Sequence, residues 1–224
     1  MGFFGQSKNQ TDGYELVRTA MIDRLRQHYG ILDERVLDAM SAVPRHMFVP
    51  EALRSQAYKD NAVPIASGQT ISQPYIVAKM TQLLELNGTE KLLEIGSGSG
   101  YQTAVLSGLV RKVFAIERLP NLVDEAKRRL QSLGIRNFVM MTADGTIGWN
   151  AFRPFDAILV AAGGPSIPEP LVAQLRPGGR LIIPIGDEQR SQVLTRVTRT
   201  TDAYGTENFG PCTFVPLIGE HGWR

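Results

Sequence analysis

The sequence is poor in the residues that mark disulfide-stabilised or metal-binding proteins. It has one cysteine and three histidines among 224 residues. The lone Cys212 excludes an internal disulfide, and we predict that it is a buried thiol. The histidines lack the spacing of metal ligands; they are His28, His46 and His221. We therefore predict no metal site.

Long apolar runs and a strong excess of one charge are also absent. No stretch approaches the ~20 apolar residues of a membrane-spanning helix. Residues 1–6 lack the apolar core of a signal peptide, and Gln6 stands where a myristoylation signal needs Ser or Thr. The net charge is only +2, and the densest basic run, residues 127–129, suits the C-terminal end of a helix. We predict a cytoplasmic protein that binds neither membrane nor nucleic acid.

The first third of the chain divides into a helical part and an irregular part. Residues 14–43 predict two helices, with Asp33 as the cap of the second. Apolar residues recur at every fourth position of the first, at Val17, Met21 and Leu25. Residues 44–73 contain several prolines but also many apolar residues, which favours an ordered functional loop over disorder. We predict that residues 1–73 form an N-terminal helical extension and a functional loop.

From Pro74, which suits the first turn of a helix, apolar runs alternate with helical segments. The runs are residues 91–95, 112–116, 137–141, 157–161 and 180–185, and the helices are residues 101–110, 121–133 and one from Pro168 to Pro177. Continuous apolar runs between helices predict a doubly wound, mostly parallel sheet with helices on both faces. Two more runs, residues 192–198 and 213–217, predict an antiparallel strand near the C-terminus. Residues 74–224 are thus predicted to form one α/β domain.

A glycine-rich turn, residues 96–100, joins the first predicted strand to its helix. Ligands of open α/β sheets bind at such a turn. Dinucleotides prefer Gly-x-Gly-x-x-Gly, and Tyr101 stands here in place of the third glycine. S-adenosylmethionine has no phosphates and needs only close approach of the backbone. The turn, with Glu94 two residues before it, therefore favours S-adenosylmethionine.

Acidic residues follow the next two strands. Glu117 ends the second strand about 20 residues beyond the turn, where a carboxylate can accept hydrogen bonds from both ribose hydroxyls. Its alternative is a solvated carboxylate at a strand end. Asp144 and Gly145 follow the third strand, at the height of an adenine ring, but Asp-Gly is also a common turn. Both interpretations stay open for that pair.

The segment Gly68-Gln69-Thr70-Ile71-Ser72-Gln73-Pro74 is more restrictive than the glycine turn. Together with residues 43–50, 92–100, 154–158 and 175–181, it resembles the protein-L-isoaspartate O-methyltransferase family. The resemblance runs from about residue 16 to the C-terminus. One departure is Pro64-Ile65-Ala66, where the family usually has Pro-Ile-Gly.

This resemblance implies a Rossmann-like methyltransferase fold and a defined reaction. A methyl group passes from S-adenosylmethionine, which leaves as S-adenosylhomocysteine, to the α-carboxylate of an L-isoaspartyl residue in a damaged protein or peptide. The ester collapses to a succinimide, whose hydrolysis restores some normal aspartyl linkage. The resemblance assigns Ser72 to the active site. The cofactor-binding residues are expected to be Gln69, Thr70, Ile71, Ser72, Glu94, Gly96, Ser97, Gly98, Ser99, Gly100, Glu117, Asp144 and Gly145.

The chemistry of the implied acceptor fits the lack of a catalytic dyad. A carboxylate is already ionised at neutral pH, so no base is needed, and Ser72 is predicted to position it by hydrogen bonding. The alternative for Ser72 is a cap of the helix that follows. His46 is predicted to be packed or hydrogen-bonded rather than catalytic. We expect a monomer.

Three other functions compete with this interpretation. A methyltransferase of a small molecule or nucleic acid would use the same glycine turn. A binding protein could retain S-adenosylmethionine without turnover, although Ser72 and Glu117 are intact. An NAD-dependent oxidoreductase is disfavoured by Tyr101.

Overall fold

The computed structural model describes residues 13–187 and 191–224. Residues 1–6, on which the targeting predictions rest, lie outside the described part. The helices are α1 Glu15–Gln27, α2 Glu34–Ala42, α3 Pro74–Leu83, α4 Tyr101–Ser107, α5 Pro120–Ser132 and α6 Glu169–Ala173. The strands are β1 Val63–Pro64, β2 Thr70–Ile71, β3 Lys91–Ile95, β4 Lys112–Glu117, β5 Phe138–Thr142, β6 Phe155–Val160, β7 Leu175–Gly186, β8 Gln192–Arg199 and β9 Tyr204–Cys212.

The amino-terminal helices form as the sequence predicts, with one difference. The Asp33 side chain accepts hydrogen bonds from the first-turn N–H groups of α2, which confirms the predicted cap. In α1, Met21 and Leu25 are buried, but Val17 is 49% exposed. The buried stripe of α1 therefore begins one turn later than the apolar pattern indicates.

Seven strands form one sheet in the order β5-β4-β3-β6-β7-β8-β9. Strands β3 to β7 are parallel, and β8 and β9 are antiparallel to their neighbours. The chain runs outward from β3 through β4 to β5 and then returns to the other side of β3 as β6. This reversal creates a switch point at the carboxyl ends of β3 and β6, where ligands of such sheets bind.

Both faces of the sheet are covered, as predicted. One apolar cluster joins the sheet to α1 through α5. A second cluster covers the opposite face, where Leu171 and Val172 of α6 and the partly buried Trp149 pack. The doubly wound α/β fold is therefore confirmed.

The C-terminal strands differ in part from the prediction. The antiparallel strand predicted near the C-terminus is confirmed as β8, Gln192–Arg199. Residues 213–217 are not a strand, however, and a second antiparallel strand, Tyr204–Cys212, ends the sheet instead. Most of Tyr204–Cys212 is exposed, because an edge strand is paired on one side only and needs no continuous apolar run. Residues 213–217 cross the switch point instead, where the Gly163 N–H donates to Val215 O at 2.8 Å.

The helix predicted from Pro168 to Pro177 is also shorter. It ends at Ala173, and β7 begins at Leu175, so the Pro-Gly-Gly turn lies inside a long, irregular strand. The pairing of β6 with β7 shifts register between Phe155 and Ala157. Strand β7 pairs with β6 on both sides of this irregularity, at Leu175 and again from Arg180. It therefore begins before the apolar run at residues 180–185.

The described residues contain no group of three or more His, Cys, Asp or Glu side chains that could hold a metal ion. Over the same residues, no helix combines the length and apolarity needed to cross a membrane. Cys212 is buried at the end of β9, which confirms its predicted environment. Burial raises the pKa of its thiol to about 11, so the thiolate is not formed at neutral pH.

Candidate active site

The glycine turn is fixed to the neighbouring strand and helix. The Gly96 N–H donates to the Ile116 carbonyl at 2.8 Å, which anchors the turn to β4. Gly98 and Gly100 adopt φ angles of +52° and +87°, which favour glycine. A Cβ on Gly100 would lie 3.1 Å from the Cβ of Ala126 in α5. The turn is thus held in a conformation that brings its backbone to the switch point.

Two joined cavities lie against this turn. The larger, about 230 Å³, is bounded by the ends of β3 and β4, by residues 68–70 and by residues 215–218. The smaller, about 40 Å³, lies between Ser72 and the glycine turn. Thr70, Gly96 and Gly98 contribute to both walls. The site is therefore an elongated cleft that the residue 68–72 segment covers.

Most of the predicted site residues meet at these cavities. Those lining one or both are Gln69, Thr70, Ile71, Ser72, Gly96, Ser97, Gly98, Ser99, Glu117 and Gly145. Three others do not line them, namely Glu94, Gly100 and Asp144. These three instead support the walls from behind.

Glu117 connects the larger cavity to the glycine turn. Its carboxylate accepts the Gly98 N–H at 2.9 Å and the Leu119 N–H at 3.0 Å, one on each oxygen. An ionised carboxylate has about four acceptor positions, so two positions remain for a ligand. Glu117 is therefore not a solvated carboxylate at a strand end. It holds the glycine turn and still has acceptor positions for a ligand.

Glu94 lies fully buried behind the turn. The Thr103 hydroxyl of α4 donates to its Oε2 at 2.6 Å, and Oε1 has no partner among the described residues. Burial raises the pKa of Glu94 to about 8, opposed by the Thr103 hydrogen bond and aided by the charge of Glu117. The Glu94 carboxyl is mostly protonated at neutral pH and links β3 to the helix that follows the turn.

Asp144 holds the C-terminal segment in place. Its Oδ1 accepts both the N–H and the hydroxyl of Thr146, and its Oδ2 accepts the Glu220 N–H at 2.8 Å. Burial opposes ionisation, but these hydrogen bonds outweigh it and lower the pKa of Asp144. Of the pair whose roles the sequence left open, Gly145 lines the larger cavity and Asp144 fastens its wall.

Ser72 faces the smaller cavity and is half-buried. Its hydroxyl makes no hydrogen bond to the described residues, and the N-cap position of α3 is Gln73, without a side-chain cap. Two further hydroxyls at this cavity, on Ser97 and Tyr101, are buried and make no hydrogen bond of ordinary geometry to the described residues, although the Tyr101 hydroxyl lies near the Arg45 guanidinium. The cavity therefore offers unpaired donors to a polar guest, and Ser72 is not a helix cap.

His46 has a structural environment, which confirms the prediction. Its Nδ1 lies 2.8 Å from the Tyr58 hydroxyl, and its ring stacks on Tyr14 at 4.1 Å between centroids. These contacts fix the irregular segment before the cavity.

Sequence reasoning missed three parts of the site. Residues 215–218 form a wall of the larger cavity, whereas the sequence predicted a strand at residues 213–217. Tyr101 lines the smaller cavity but served only to exclude a dinucleotide. Arg45 is fully buried behind Ser72 and was not assigned a role. Its position among apolar residues in Val43-Pro44-Arg45-His46-Met47-Phe48 was the available signal.

The cleft fits S-adenosylmethionine in chemistry. Ile95, Ile116 and Leu217 give the larger cavity apolar surface for an adenine ring. Glu117 offers acceptor positions for hydroxyls, and the smaller cavity offers unpaired polar atoms for the amino acid end. Among the described residues that line the two cavities, Arg118 alone is basic, and a single basic side chain is not a cradle for a pyrophosphate.

Comparisons with known proteins agree with this geometry. The sequence model of the family described as Protein-L-isoaspartate(D-aspartate) O-methyltransferase matches residues 16–222. A protein-L-isoaspartate O-methyltransferase from Syntrophus aciditrophicus is 52% identical over 215 residues, covering 95% of this chain and 98% of the relative. Protein-L-isoaspartate O-methyltransferase 1 from Syntrophobacter fumaroxidans is 52% identical over 211 residues, covering 94% and 98%.

A solved structure extends the likeness to three dimensions. It is a Plasmodium falciparum protein assigned to the same family, in complex with S-adenosyl-L-homocysteine. It is 28% identical, with a TM-score of 0.78, and the match covers 90% of this chain and 98% of that one. The chain belongs to the protein-L-isoaspartate(D-aspartate) O-methyltransferase family.

Proposed function

We propose that the two joined cavities hold S-adenosylmethionine and that the acceptor of the family's reaction meets it beside Ser72, at the smaller cavity. The enzyme transfers a methyl group from S-adenosylmethionine to L-isoaspartyl residues in damaged proteins. The observation that carries the assignment of the site is the position of Ser72, which faces the glycine turn across the smaller cavity. The donor lies along the turn, and the acceptor carboxylate meets Ser72.

Different parts of the walls hold different parts of the cofactor. Glu117 accepts the ribose hydroxyls, and the backbone of residues 96–100 lies along the donor. Gln69 and Thr70 cover it from the opposite side. Glu94 and Asp144 act indirectly, because one supports the turn and the other fastens the C-terminal wall.

Methyl transfer here depends on placement rather than on proton transfer. S-adenosylmethionine supplies an electrophilic methyl group on a sulfonium. The acceptor carboxylate, with an ordinary pKa near 4, is already anionic. Fixing the two groups in line can contribute about 7–11 kcal/mol. Ser72 donates a hydrogen bond that orients the carboxylate, and Ile71 and Tyr101 line the same cavity.

A matched pair of peptides tests the substrate assignment. The protein is incubated with methyl-labelled S-adenosylmethionine and with two peptides that differ only in an aspartyl or isoaspartyl linkage. We expect base-labile label on the isoaspartyl peptide alone. Only in that linkage does the peptide chain continue through the side-chain carbonyl and leave the α-carboxylate free. Equal labelling of both peptides, or none, would contradict the assignment.

Replacement of Ser72 by alanine is expected to lower kcat for the isoaspartyl peptide about 10-fold, the cost of one hydrogen bond to a charged group. The Kd for S-adenosylmethionine should stay within about two-fold, because Ser72 orients the acceptor. Steady-state kinetics and calorimetry measure the two effects. Ser67→Ala is the matched control, since Ser67 directly precedes the residue 68–72 segment but lines neither cavity. Unchanged kcat in Ser72→Ala would remove the role.

We also propose that the enzyme acts as a monomer. Both cavities are walled by residues of a single chain, so no second copy is needed to complete them. Light scattering should give a mass near 24.7 kDa; a stable dimer would contradict the proposal. The cytoplasmic location stays a prediction from the sequence.

A further inference from the structure

Arg45 is a fully buried cation that forms no direct ion pair with a carboxylate of the described residues. It lies in the short 3-10 helix Arg45–Phe48 and is 0% exposed. No carboxylate of the described residues forms an ion pair with it. Asp60, whose charge reaches Arg45, is engaged by the Gln73 side chain and the Tyr75 N–H. Since the guanidinium stays protonated, a buried positive charge lies here that Asp60 offsets from a distance and not by a direct ion pair.

Arg45 contacts two residues that line the smaller cavity, Ser72 and Tyr101. Its Nε donates to the Ala57 carbonyl and its Nη2 to the Ser72 carbonyl, both at 2.7 Å. Its guanidinium carbon lies 4.6 Å from the centre of the Tyr101 ring, and Tyr101 lines the smaller cavity with Ser72. Arg45 thus joins the two residues that flank the place of the acceptor.

Burial of a charge that lacks a direct counter-ion is costly. Nη1 of Arg45 makes no hydrogen bond of ordinary geometry to the described residues, and the nearby Tyr101 hydroxyl is neutral. A positive charge in a region of low dielectric attracts an anion more strongly than it would in water. The acceptor of the proposed reaction is a carboxylate. The free enzyme therefore carries, directly behind Ser72, a charge opposite to that of its substrate.

We propose that Arg45 is a positioning residue that fixes the Ser72 backbone and favours binding of the isoaspartyl carboxylate through its buried positive charge. The inference rests on the proposed function. Arg45 has two separable roles in this proposal, one through its hydrogen bonds and one through its charge. The forked pair of hydrogen bonds sets the geometry of Ser72 and acts on kcat, and the charge acts on the KM for the peptide.

Two variants separate charge from geometry. Arg45→Met removes both the charge and the fork at similar length. We expect KM for the isoaspartyl peptide to rise about 10-fold and kcat to fall about 10-fold, with the Kd for S-adenosylmethionine within about three-fold. Arg45→Lys keeps the charge but loses the fork. It should restore most of the KM while kcat stays about 10-fold low.

Arg35→Met is the matched control. Arg35 also donates to two backbone carbonyls, those of Leu86 and Leu109, but it lines neither cavity of the site. Its variant should lose thermal stability without a change in kcat or KM measured well below its Tm.

Wild-type methylation of the isoaspartyl peptide is checked first, because its absence would sink the proposed function rather than this inference. Given that activity, wild-type kinetics in both Arg45 variants would overturn the inference. An equal KM in Arg45→Met and Arg45→Lys would overturn the role of the charge. If Arg45→Met does not fold, Arg45→Lys decides alone: lowered kcat with a retained peptide KM supports the inference, and any other pattern overturns it.

Discussion

Replacement of Glu117 by alanine is expected to weaken S-adenosylmethionine binding by about 5- to 150-fold, or about 1–3 kcal/mol. Two losses contribute. The ribose hydroxyls lose a charged acceptor, and the Gly98 and Leu119 N–H groups lose the partners that hold the turn against β4. Calorimetry on the folded variant measures the change in Kd.

A ligand series separates these two contributions. S-adenosylhomocysteine and its 2′-deoxy analogue are compared on wild type and on Glu117→Ala. If Glu117 binds the hydroxyl, the analogue binds wild type more weakly but binds the variant as well as the parent compound does. If the deoxy analogue loses the same affinity on both proteins, Glu117 acts only as a support of the turn. Glu207→Ala, which removes an exposed carboxylate of β9, controls for the change in net charge.

The sequence predicts the part of the site that local patterns encode. Strand β3, the glycine turn and the start of α4 are contiguous, so apolar periodicity and glycine spacing suffice to place them. Glu117 follows because the carboxyl ends of neighbouring parallel strands meet at one edge. The residue 68–72 segment followed from the family resemblance, and it lies over the same cleft.

Contacts between distant parts of the chain account for what the sequence does not predict. The Asp144 carboxylate accepts a hydrogen bond from Glu220, 76 residues away, and no local pattern encodes that partner. Residues 213–217 are apolar because they cover the cleft, and an apolar run alone does not distinguish a wall from a strand. Arg45 resembles a surface charge until its burial is known. The domain division at residues 73 and 74 stays a prediction.

The largest effect on stability is expected at Glu94, through its dependence on pH. Because the folded-state pKa is raised to about 8, folding favours the protonated carboxyl. This contribution is complete below the unfolded pKa of about 4.5. It declines as pH rises, because the unfolded chain ionises first, and it is fully lost above the folded pKa. At ~1.4 kcal/mol per pKa unit, the loss reaches up to about 5 kcal/mol.

Glu94→Gln is therefore expected to stabilise the protein at pH 9 by several kcal/mol and to differ little from wild type at pH 5. Glutamine has the shape of a protonated glutamate, and its carbonyl can still accept the Thr103 hydroxyl. Urea unfolding of both proteins at pH 5, 7 and 9 measures the difference.

Glu90→Gln is the matched control, with an effect of opposite sign. Glu90 is also buried, but its two carboxylate oxygens accept the Asn87 and Gly88 N–H groups. Its replacement by glutamine should therefore destabilise the protein at pH 9. Parallel pH curves for wild type and Glu94→Gln would show that Glu94 is ionised in the folded enzyme, and a buried anion behind the turn would then need a partner supplied by the bound cofactor.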